Sequence, residues 1–362
     1  MTPLGETLLR RIGLLGPITL ADYMAECLLN PEHGYYATRD PFGRAGDFTT
    51  APEISQMFGE MIGLCLAQNW LDQGAPPFTL AELGPGRGTL MADIWRATRG
   101  VPGFHDAASV HLVEASARMR AAQANALPGL PLTWHDGADT LPEGPLWLVA
   151  NEFFDALPIR QFHRAGGGWR ELVIGQQDGR LTPGLTEAAP LADLVHRLDD
   201  TAEGMLVEIC AAARPVMQAI EHRLSAHPGA ALIIDYGDWR SRGDTFQALE
   251  DHVFADPYAH PGRADLTAHV DFQALAAAAP TLTASGLTTQ GDLLRALGID
   301  ARAKRLAQSL HGEALKQHLA AHRRLTGAQE MGTLFKALAL VAPGAPVPPG
   351  FDPPLSFAAK AP

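Results

Sequence analysis

Residues 78–97, FTLAELGPGRGTLMADIWRA, constrain the fold more than any other stretch of the chain. An apolar run from Phe78 to Leu83 contains one acid, Glu82, and glycines follow at positions 84, 86 and 88. Helical spacing of apolar residues starts after Thr89, so the stretch predicts a strand, a glycine-rich turn and a helix. Glycines let a backbone turn sharply and approach a ligand closely, and the helix points its free N–H groups at the turn. A nucleotide-like ligand is therefore expected at this turn.

The spacing of the glycines distinguishes two kinds of nucleotide site. A dinucleotide fingerprint reads G-x-G-x-x-G/A, whereas this chain has G-x-G-x-G, with Thr89 where the third small residue would stand. Glu82 also lies two residues before Gly84, where a dinucleotide fold usually has an aliphatic side chain. Its carboxylate would disfavour a pyrophosphate and favour a cationic methionine with a free amino group. The stretch resembles motif I of class I S-adenosylmethionine (SAM) methyltransferases, with a dinucleotide site or a ligand-free turn as alternatives, and the resemblance assigns to SAM Glu82, Gly84, Pro85, Gly86 and Gly88.

Strands and helices alternate after the glycine turn. The expected strands are 110–113, 130–134, 146–150 and 230–234, and a helix is expected from Ala115 to Ala126. This alternation predicts an α/β fold of the class I methyltransferase (Rossmann-like) type, a mostly parallel sheet with helices on both faces. Each expected strand ends beside a polar or acidic residue. Because ligands of such sheets gather at the carboxyl ends of the strands, one shared crevice is expected there.

Three parts of the chain are expected to differ in organisation. A helical cap covers residues 1–75, and the methyltransferase core covers residues 76–342. Two insertions interrupt the core: a β-rich one ending in a helix, at about 156–228, and a mostly helical one at about 252–330. The proline-rich tail, residues 343–362, is expected to be loosely ordered.

Local signals predict further elements. Thr19 is expected to cap a helix over residues 19–29. The spacing T-x-x-E from Thr50 to Glu53 is typical of a capping box and predicts a helix from about Ala51 to Leu71. Residues 334–341, LFKALALV, are expected to add a final strand beside the sheet.

Polar residues at the ends of three strands are candidates for the cofactor site. Glu114 ends the second strand, where an acid can accept hydrogen bonds from the ribose hydroxyls of an adenosine. Asp136 follows the third strand and is assigned to the adenine amino group. Asn151 follows the fourth strand and is assigned to the same site, since an Asn there typically helps to hold the amine in N-methyltransferases. The alternative for Glu114 and Asp136 is a solvated acid at the end of a strand.

The segment ANEFFDALPIRQF, residues 150–162, carries the expected catalytic acids. Glu152 and Asp155 are three residues apart, so a helical turn would bring them to one face. Two carboxylates suit a planar guanidinium, which presents its donors as a fork, and Phe153 could contact the cation through its ring. The alternative is that one acid caps a helix while the phenylalanines belong to the core.

Two loops add expected substrate and catalytic residues. The long loop of residues 43–49 carries Asp47 and Phe48, which are assigned to the substrate because long loops in compact proteins are often functional. In DLTAHVDF, residues 265–272, His269 is a candidate proton acceptor and Asp271 a candidate substrate contact. A structural role for His269 is the alternative.

Charge and cysteine content limit the partners and the compartment. A net charge of −12 argues against broad nucleic-acid binding but allows a cationic substrate. The three cysteines are far apart and form no metal-type pair, which favours reduced core thiols and a cytoplasmic location. No membrane span, signal peptide or metal site is expected.

Eight ordered segments together resemble the MidA family of class I methyltransferases. They run from about residue 17 to residue 342 and are GRAGDFTTAPEISQMFGEMIG, ELGPGRGTLMADIWR, LVEASARMRAAQ, ANEFFDALPIRQF, DYGD, GRADLTAHVDF, TQGDLLRALGI and MGTLFKALAL. The resemblance implies SAM as cofactor and methylation of an arginine guanidinium in a protein. For the mitochondrial members it also implies a respiratory complex I subunit as the substrate.

The sequence leaves two rival functions. One is a SAM-binding assembly chaperone without catalytic activity, which the acids at positions 152 and 155 oppose. The other is a dinucleotide-dependent oxidoreductase, which Glu82 and the glycine spacing oppose. The target protein and the oligomeric state, a homodimer included, are left open.

Overall fold

The computed structural model describes residues 2–38, 49–250 and 252–353. The chain forms two compact units, each assembled from three segments. Unit 1 contains Met1–Phe48, Asp155–Arg214 and Arg240–Val270, and unit 2 contains Thr49–Phe154, Pro215–Trp239 and Asp271–Pro362. The segment expected as an N-terminal cap is therefore shared between the units. Asp47 and Phe48 lie outside the described residues.

The α-helices of the described residues are α1 Pro3–Leu15, α2 Leu20–Leu29, α3 Tyr35–Thr38, α4 Ala51–Ile54, α5 Gln56–Asp72, α6 Thr89–Thr98, α7 Phe104–Ala107, α8 Ala117–Ala126, α9 Ala213–Ala226, α10 Phe272–Ala277, α11 Gln290–Ala296, α12 Ile299–Ala307, α13 Gly312–Thr326 and α14 Met331–Leu334. Among these helices, none is both long and apolar enough to cross a bilayer.

The β-strands are β1 Ile18–Thr19, β2 Phe78–Leu83, β3 Ala108–Val113, β4 Leu132–His135, β5 Leu146–Asn151, β6 Arg160–Ala165, β7 Gly168–Gln177, β8 Arg180–Leu185, β9 Leu206–Ile209, β10 Gly229–Asp238, β11 Gln247–Glu250, β12 Val253–Ala255, β13 Asp265–Thr267, β14 Val270–Asp271, β15 Thr283–Ala284, β16 Thr288–Thr289 and β17 Phe335–Val341.

Unit 2 is built on one mostly parallel sheet. Its strands follow the order β15-β17-β10-β5-β2-β3-β4, and β16 also pairs with β17. The five strands from β10 to β4 run parallel, and β17 joins β10 antiparallel as the expected final strand. Every residue of β2 and β5 is buried, as a central strand covered on both faces requires. The expected α/β fold is confirmed.

Helices α5 and α6 pack closely in the core of unit 2. A Cβ added at Gly59 of α5 would lie 2.5 Å from the Cβ of Asp93, and one added at Gly63 would lie 2.9 Å from the Cα of Ile94. Glycine at both positions therefore lets the two helix backbones approach each other. Helix α6 begins directly after the glycine turn, so this packing also fixes the turn.

The structure describes the proline-rich segment after β17 as far as Pro353, and two of its residues bond to helix α5, which the expectation of a loose tail did not include. The buried Asn69 of α5 donates from Nδ2 to the Pro346 carbonyl at 2.8 Å, and the Cys65 thiol donates to the Pro349 carbonyl at 3.3 Å. Proline has no N–H to donate, but its carbonyl can accept a hydrogen bond. The carbonyls of Pro346 and Pro349 both accept from side chains of α5. The sequence did not predict these two hydrogen bonds because their donors lie in α5, far from the prolines along the chain.

Unit 1 contains two smaller sheets. One has the order β1-β7-β6-β9 with β8 paired to β7, and the other has the order β12-β11-β13. The first insertion is β-rich before α9, as expected. The second insertion is not mostly helical throughout: β12, β13 and β14 occupy its first part, and helices follow from Phe272. Short strands with few alternating residues gave no clear periodic signal.

The two predicted helix starts have different outcomes. Thr19 caps α2 in a capping box with Asp22, and the apolar face of this helix is buried, which confirms the prediction. Thr50 precedes α4 without a side-chain capping bond, and the expected long helix is divided at Ser55 into α4 and α5. The prediction of a capping box at Thr50 is therefore wrong. The Glu53 carboxylate instead accepts a hydrogen bond from Thr89 Oγ1 at 2.5 Å.

Replacing Asn69 by alanine is expected to destabilise unit 2. Its Oδ1 also accepts from Trp147 Nε1 at 2.9 Å and from Gln73 Nε2 at 2.8 Å, so the change leaves several buried groups without partners. We expect a loss of about 2–4 kcal/mol in the free energy of unfolding, measured by urea denaturation. The control is Gln68→Ala, at an exposed neighbour whose Nε2 donates to Asp72. Equal losses in the two variants would contradict this account of the tail.

Candidate active site

The parallel register brings the ends of four strands of unit 2 to one edge. Glu82 of β2 pairs with Leu112 of β3 and Val149 of β5, and Asn151 of β5 pairs with Ile234 of β10. The residues that follow these strands therefore share the carboxyl edge of the sheet, where ligands of open α/β sheets bind. This edge holds the glycine turn, Glu114, Asn151 and Glu152.

The glycine turn after β2 has the strained backbone that only glycine adopts easily. The φ angles of Gly84, Gly86 and Gly88 are +60°, +51° and +83°. A Cβ on Gly84 would lie 2.8 Å from Cδ2 of Phe153, so the ring of Phe153 packs against the turn. Pro85 closes the turn by accepting from the N–H of Gly88 at 2.7 Å. Glycine at positions 84 and 88 thus lets Phe153 and Gln123 pack directly on the turn.

Glu82 is a buried carboxyl group with unused hydrogen-bonding capacity. The residue is 3% exposed, and its Oε2 has no hydrogen-bond partner in the described part of the chain. Burial raises the pKa of Glu82 to about 8, against the opposing effect of a hydrogen bond from the Met91 backbone. An acid of this kind is expected to ionise when a cation binds beside it.

Glu114 is held in place by groups that sequence reasoning did not select. Its Oε1 accepts from the N–H of Ser116 at 2.8 Å, and its Oε2 accepts from Gln123 Nε2 at 3.2 Å. Burial raises the pKa of Glu114, and these two hydrogen bonds act in the opposite direction. Gln123 also donates to the Gly86 carbonyl at 2.8 Å and accepts from Trp134 Nε1 at 2.8 Å.

Gln123 therefore links the glycine turn to the expected ribose acid. It is fully buried in α8, although glutamine is usually exposed. The sequence around Gln123, LVEASARMRAAQ, does not by itself indicate that this glutamine bonds to the glycine turn and to Glu114. Its burial could be inferred only from the helical face that it shares with Met119, which is also buried.

Asp136 is far more exposed than the other expected cofactor residues. Its side chain is 88% exposed and pairs with Arg120 at 2.5 Å. The assignment to the adenine amino group stays a prediction, and the geometry shows only that Asp136 lies at the end of β4, beyond His135.

Glu152 is held at the end of β5 in an unusual backbone conformation. Its φ is +52°, and its Oε1 accepts from Asn151 Nδ2 at 3.0 Å and from the N–H of Ala51 at 2.9 Å. Asn151 is buried, and its Oδ1 has no hydrogen-bond partner among the described residues. Residues 152–157 form bends and a turn, so the expected helical turn is wrong. A left-handed non-glycine residue disfavours helix and often marks a functional site.

Asp235 is a buried acid that the sequence reasoning noted only as the end of a strand. It is 0% exposed, and its Oδ2 accepts from the N–H groups of Phe153 and Phe154 at 3.1 and 3.0 Å. Asp235 therefore fixes the backbone that follows Glu152, and it orients Phe153 toward Gly84. The motif DYGD contained this acid, but only the sheet register shows what it contacts.

Two other expected residues lie in unit 1. Asp155 is buried, and its carbonyl accepts from the N–H of Ala268 at 3.0 Å, next to His269. The N–H of His269 donates to Thr245 Oγ1 at 2.8 Å. Thr245 in turn bonds to the buried Glu208, whose pKa is raised by burial. These bonds hold the backbone of the segment that carries His269.

Asp271 caps α10 of unit 2 by accepting from the N–H of Ala274 at 2.9 Å. This structural role accounts for one oxygen of its carboxylate, and the predicted contact with substrate stays a prediction. Glu152 and Asp271 belong to unit 2, whereas Asp155 and His269 belong to unit 1.

The described residues fit SAM as the ligand of this edge. The turn offers a close backbone approach, and the free oxygen of Glu82 suits the ammonium group of a methionine. Glu114 follows β3, where an acid can accept hydrogen bonds from ribose hydroxyls. A pyrophosphate would instead meet the buried carboxyl of Glu82, which it would repel on ionisation.

Comparisons with known proteins agree with this reading. A family model described as "Putative S-adenosyl-L-methionine-dependent methyltransferase" matches residues 61–291. The mitochondrial protein arginine methyltransferase NDUFAF7 of Mus musculus is 37% identical over 371 residues, which cover 94% of this chain and 85% of that protein. The Homo sapiens protein of the same name is 36% identical, with 94% and 84% covered.

A solved structure is also similar to this fold. It comes from Burkholderia thailandensis and is bound to S-adenosyl-homocysteine (SAH). It superposes with a TM-score of 0.83 at 29% identity, covering 96% of this chain and 93% of that one.

The chain belongs to this methyltransferase family, as the resemblance to MidA predicted. It is a class I SAM-dependent methyltransferase, and SAM is its cofactor. The dinucleotide alternative is thereby excluded.

Gly84→Ala is expected to destabilise unit 2 more than the same substitution at another glycine with a left-handed backbone but open space around it. Any left-handed alanine costs about 1–2 kcal/mol, and the contact with Phe153 adds about 1–3 kcal/mol. The matched control is Gly129→Ala, since Gly129 has a φ of +78° and nothing within 4 Å of an added Cβ. Urea denaturation gives the two losses. Equal losses would show that Phe153 does not pack tightly on the turn.

SAM binding is expected to release a proton from Glu82. Its pKa of about 8 leaves the carboxyl mostly protonated at pH 7, and the ammonium of SAM favours the ionised form. Calorimetry in buffers of different ionisation enthalpy should detect release of on the order of one proton at pH 7. Affinity should weaken as the pH falls from 8 to 6.

Two variants test the source of this proton. Glu82→Gln should bind SAM more weakly and release no proton, while Glu313→Gln, at an exposed residue of α13, should behave as the unmodified protein. Unchanged proton release in Glu82→Gln would assign the proton to another group. Without SAM, the raised pKa of Glu82 also affects folding. The contribution of Glu82 to the free energy of unfolding should fall as the pH rises from about 4.5 to about 8, since this carboxyl ionises first in the unfolded chain.

Proposed function

We propose that this methyltransferase methylates an arginine guanidinium of a protein substrate. By the resemblance to MidA, a respiratory complex I subunit is the proposed target. The observation that carries the proposal is the fixed carboxylate of Glu152, at the end of β5 and one residue from the amide of Asn151. The names of the NDUFAF7 relatives, which are protein arginine methyltransferases, support the choice of acceptor.

The position of Glu152 suits a cationic acceptor. Two donors, the Ala51 N–H and Asn151 Nδ2, orient one carboxylate oxygen of Glu152. A carboxylate that is already oriented loses less entropy when it binds a guanidinium than a mobile one does. The strained backbone of Glu152 is consistent with a residue retained for such a role. Asp155, three positions along the chain, is proposed to supply the second carboxylate.

A pair of carboxylates supplied by Glu152 and Asp155 would suit a guanidinium better than an ammonium. It is planar and presents its N–H groups as a fork, which two carboxylates can accept together. A lysine ammonium is a point charge and gains less from that arrangement. The net charge of −12 is also compatible with a cationic substrate.

The proposed roles of the other residues follow from their positions. SAM supplies the activated methyl group. Glu82, the backbone from Gly84 to Gly88, and Glu114 are proposed to hold it. Asn151 offers its Oδ1 as an acceptor beside Glu152, and Phe153 excludes water from the turn. His269, or one of the carboxylates, is proposed to take the proton that the acceptor nitrogen loses. Substrate contacts are proposed for the residues Asp47, Phe48 and Asp271.

Glu152→Gln should impair methyl transfer much more than SAM binding. The amide keeps one acceptor oxygen but places a donor opposite the donors of the guanidinium. Such a mismatch costs roughly 1–3 kcal/mol, or about tenfold to a hundredfold in rate. The measurement is single-turnover transfer with SAM saturating, together with calorimetric SAM affinity. Glu143→Gln, at a half-exposed acid of unit 2, is the control.

The acceptor is first identified with isotopically labelled SAM in a native lysate, followed by mass spectrometry of the labelled protein. A substrate peptide and its lysine replacement are then compared. Labelled lysine, or transfer by Glu152→Gln at the unmodified rate, would overturn the arginine proposal. SAM binding without any labelled product would favour the non-catalytic assembly role.

A further inference from the structure

The helical hairpin formed by α12 and α13, residues 299–326, is a basic region in an acidic chain, and we call it the basic hairpin. The whole chain has a net charge of −12, whereas the hairpin contains six lysines and arginines against two acids, a net charge of +4. The acids are Asp300 and Glu313, and the basic residues are Arg302, Lys304, Arg305, Lys316, Arg323 and Arg324. A local excess of one sign of charge attracts partners of the opposite sign and speeds their association.

Two histidines of α13 fix which side of this helix faces α12. His318 Nε2 lies 3.0 Å from the carbonyl oxygen of Ala303. One turn further along, His322 Nε2 lies 2.8 Å from Oδ1 of Asp300. Residues four apart lie on the same side of a helix, so this side of α13 is turned toward α12.

Another side of α13 presents cations beside an apolar residue. Lys316, Leu319 and Arg323 follow at the i, i+3, i+7 spacing of one helix side. The side chains of Lys316 and Arg323 are 79% and 74% exposed, and Leu319 is 54% exposed. Further exposed cations of the basic hairpin are Lys304, Arg305 and Arg324. The hairpin therefore offers a partner both positive charge and an exposed leucine.

The basic hairpin is fixed to helices that lie near the expected acceptor residue. Arg302 of α12 donates from Nε and Nη2 to the two carboxylate oxygens of Glu60 in α5, at 2.7 and 2.8 Å. Glu60 is buried, and a two-point pair of this kind fixes orientation. Helix α13 also contacts α4, and the N–H of Ala51 in α4 donates to Glu152. The hairpin therefore packs on the helix that orients Glu152, within unit 2.

The combination of charge and apolar surface selects the class of partner. The phosphates of a nucleic acid would pair with the cations but would leave Leu319 in water. A membrane-binding helix needs a broad apolar face, whereas Leu319 lies between two cations. A second copy in a symmetric pair would place the same basic surface against itself. A protein segment with aspartates or glutamates beside an apolar residue matches both the cations and Leu319.

We propose that the basic hairpin binds an acidic segment of the protein substrate, apart from the arginine that is methylated. The inference rests on the proposed function in requiring a protein substrate, and it adds a second point of recognition. The acids at the active site then bind the cationic acceptor, while the hairpin binds the acidic segment. A substrate of mixed charge is thereby selected over a uniformly basic one.

A direct binding measurement tests the surface without methylation. The probe is a synthetic peptide with leucines at helical spacing among glutamates, titrated by calorimetry. The hairpin variant K304E/R305E/R324E should bind it at least about tenfold more weakly than the unmodified protein, because each reversed charge repels the glutamates. Added salt should also weaken binding to the unmodified protein. The matched control R10E/R99E/R180E makes the same charge change at exposed arginines outside the hairpin and should lose less than about threefold.

Methylation kinetics then test whether the surface serves the substrate. The protein that labelled SAM marks in a native lysate is purified and used as the substrate. In the hairpin variant its KM should rise, while kcat and SAM affinity stay unchanged. Thermal unfolding checks that both triple variants are folded.

Several outcomes would overturn the proposal. They are absent peptide binding, equal peptide binding by the two triple variants, an unchanged KM, and tighter binding of an oligonucleotide or of phosphatidylglycerol vesicles than of the peptide. Labelled lysine, together with selective loss of peptide binding and a raised KM in the hairpin variant, would overturn only the arginine acceptor and would support the docking surface.

Discussion

The parallel pairing of β5 with β2 and β10 is the constraint on which the site depends. It aligns Glu82, Asn151 and Asp235 at one edge of the sheet. Every residue of β2 and β5 is buried, and a register shift of one residue would turn each side chain of β5 to the opposite face. Packing on both faces therefore defines the register. The hydrophobic core of unit 2 thus places these polar groups at the edge where the cofactor is expected to bind. Stability and function are linked through the same strands.

The carboxylates at this edge differ in how their burial is compensated. Asp235 accepts from the peptide N–H groups after Glu152, and Glu114 accepts from Ser116 and Gln123. Those two acids organise the backbone and the neighbouring loop before any ligand arrives. Glu82 keeps an oxygen without a donor, so part of its desolvation cost is recovered only when the cofactor binds. Glu114 and Asp235 are therefore fixed by hydrogen bonds within the protein, whereas the ionisation of Glu82 is expected to respond to a bound cation.

The sequence predicted the parts of the molecule that depend on local patterns. The glycine turn, the alternation of strands and helices that predicts a parallel sheet, and the cap at Thr19 all have their signals in local sequence patterns. Glu53, Gln123 and Asp235 could not be placed, because their hydrogen bonds join residues 36, 37 and 82 positions apart. The helical turn at Glu152 failed for a different reason: strand-end geometry overrides the spacing of the acids, and the left-handed φ of Glu152 has no sequence signal.

The interleaving of the two units has a consequence for synthesis on the ribosome. The last segment of unit 1 ends at Val270. In unit 2, β10 is made about a hundred residues before its partner β17, since Ala230 pairs with Val341. Unit 1 is complete at Val270, whereas unit 2 still lacks its last segment, Asp271–Pro362, at that point. The nascent chain must therefore carry the mostly buried strand β10 without its partner β17 until residue 341 has been made. Such a protein depends on protection of its unfinished sheet as much as on its final stability.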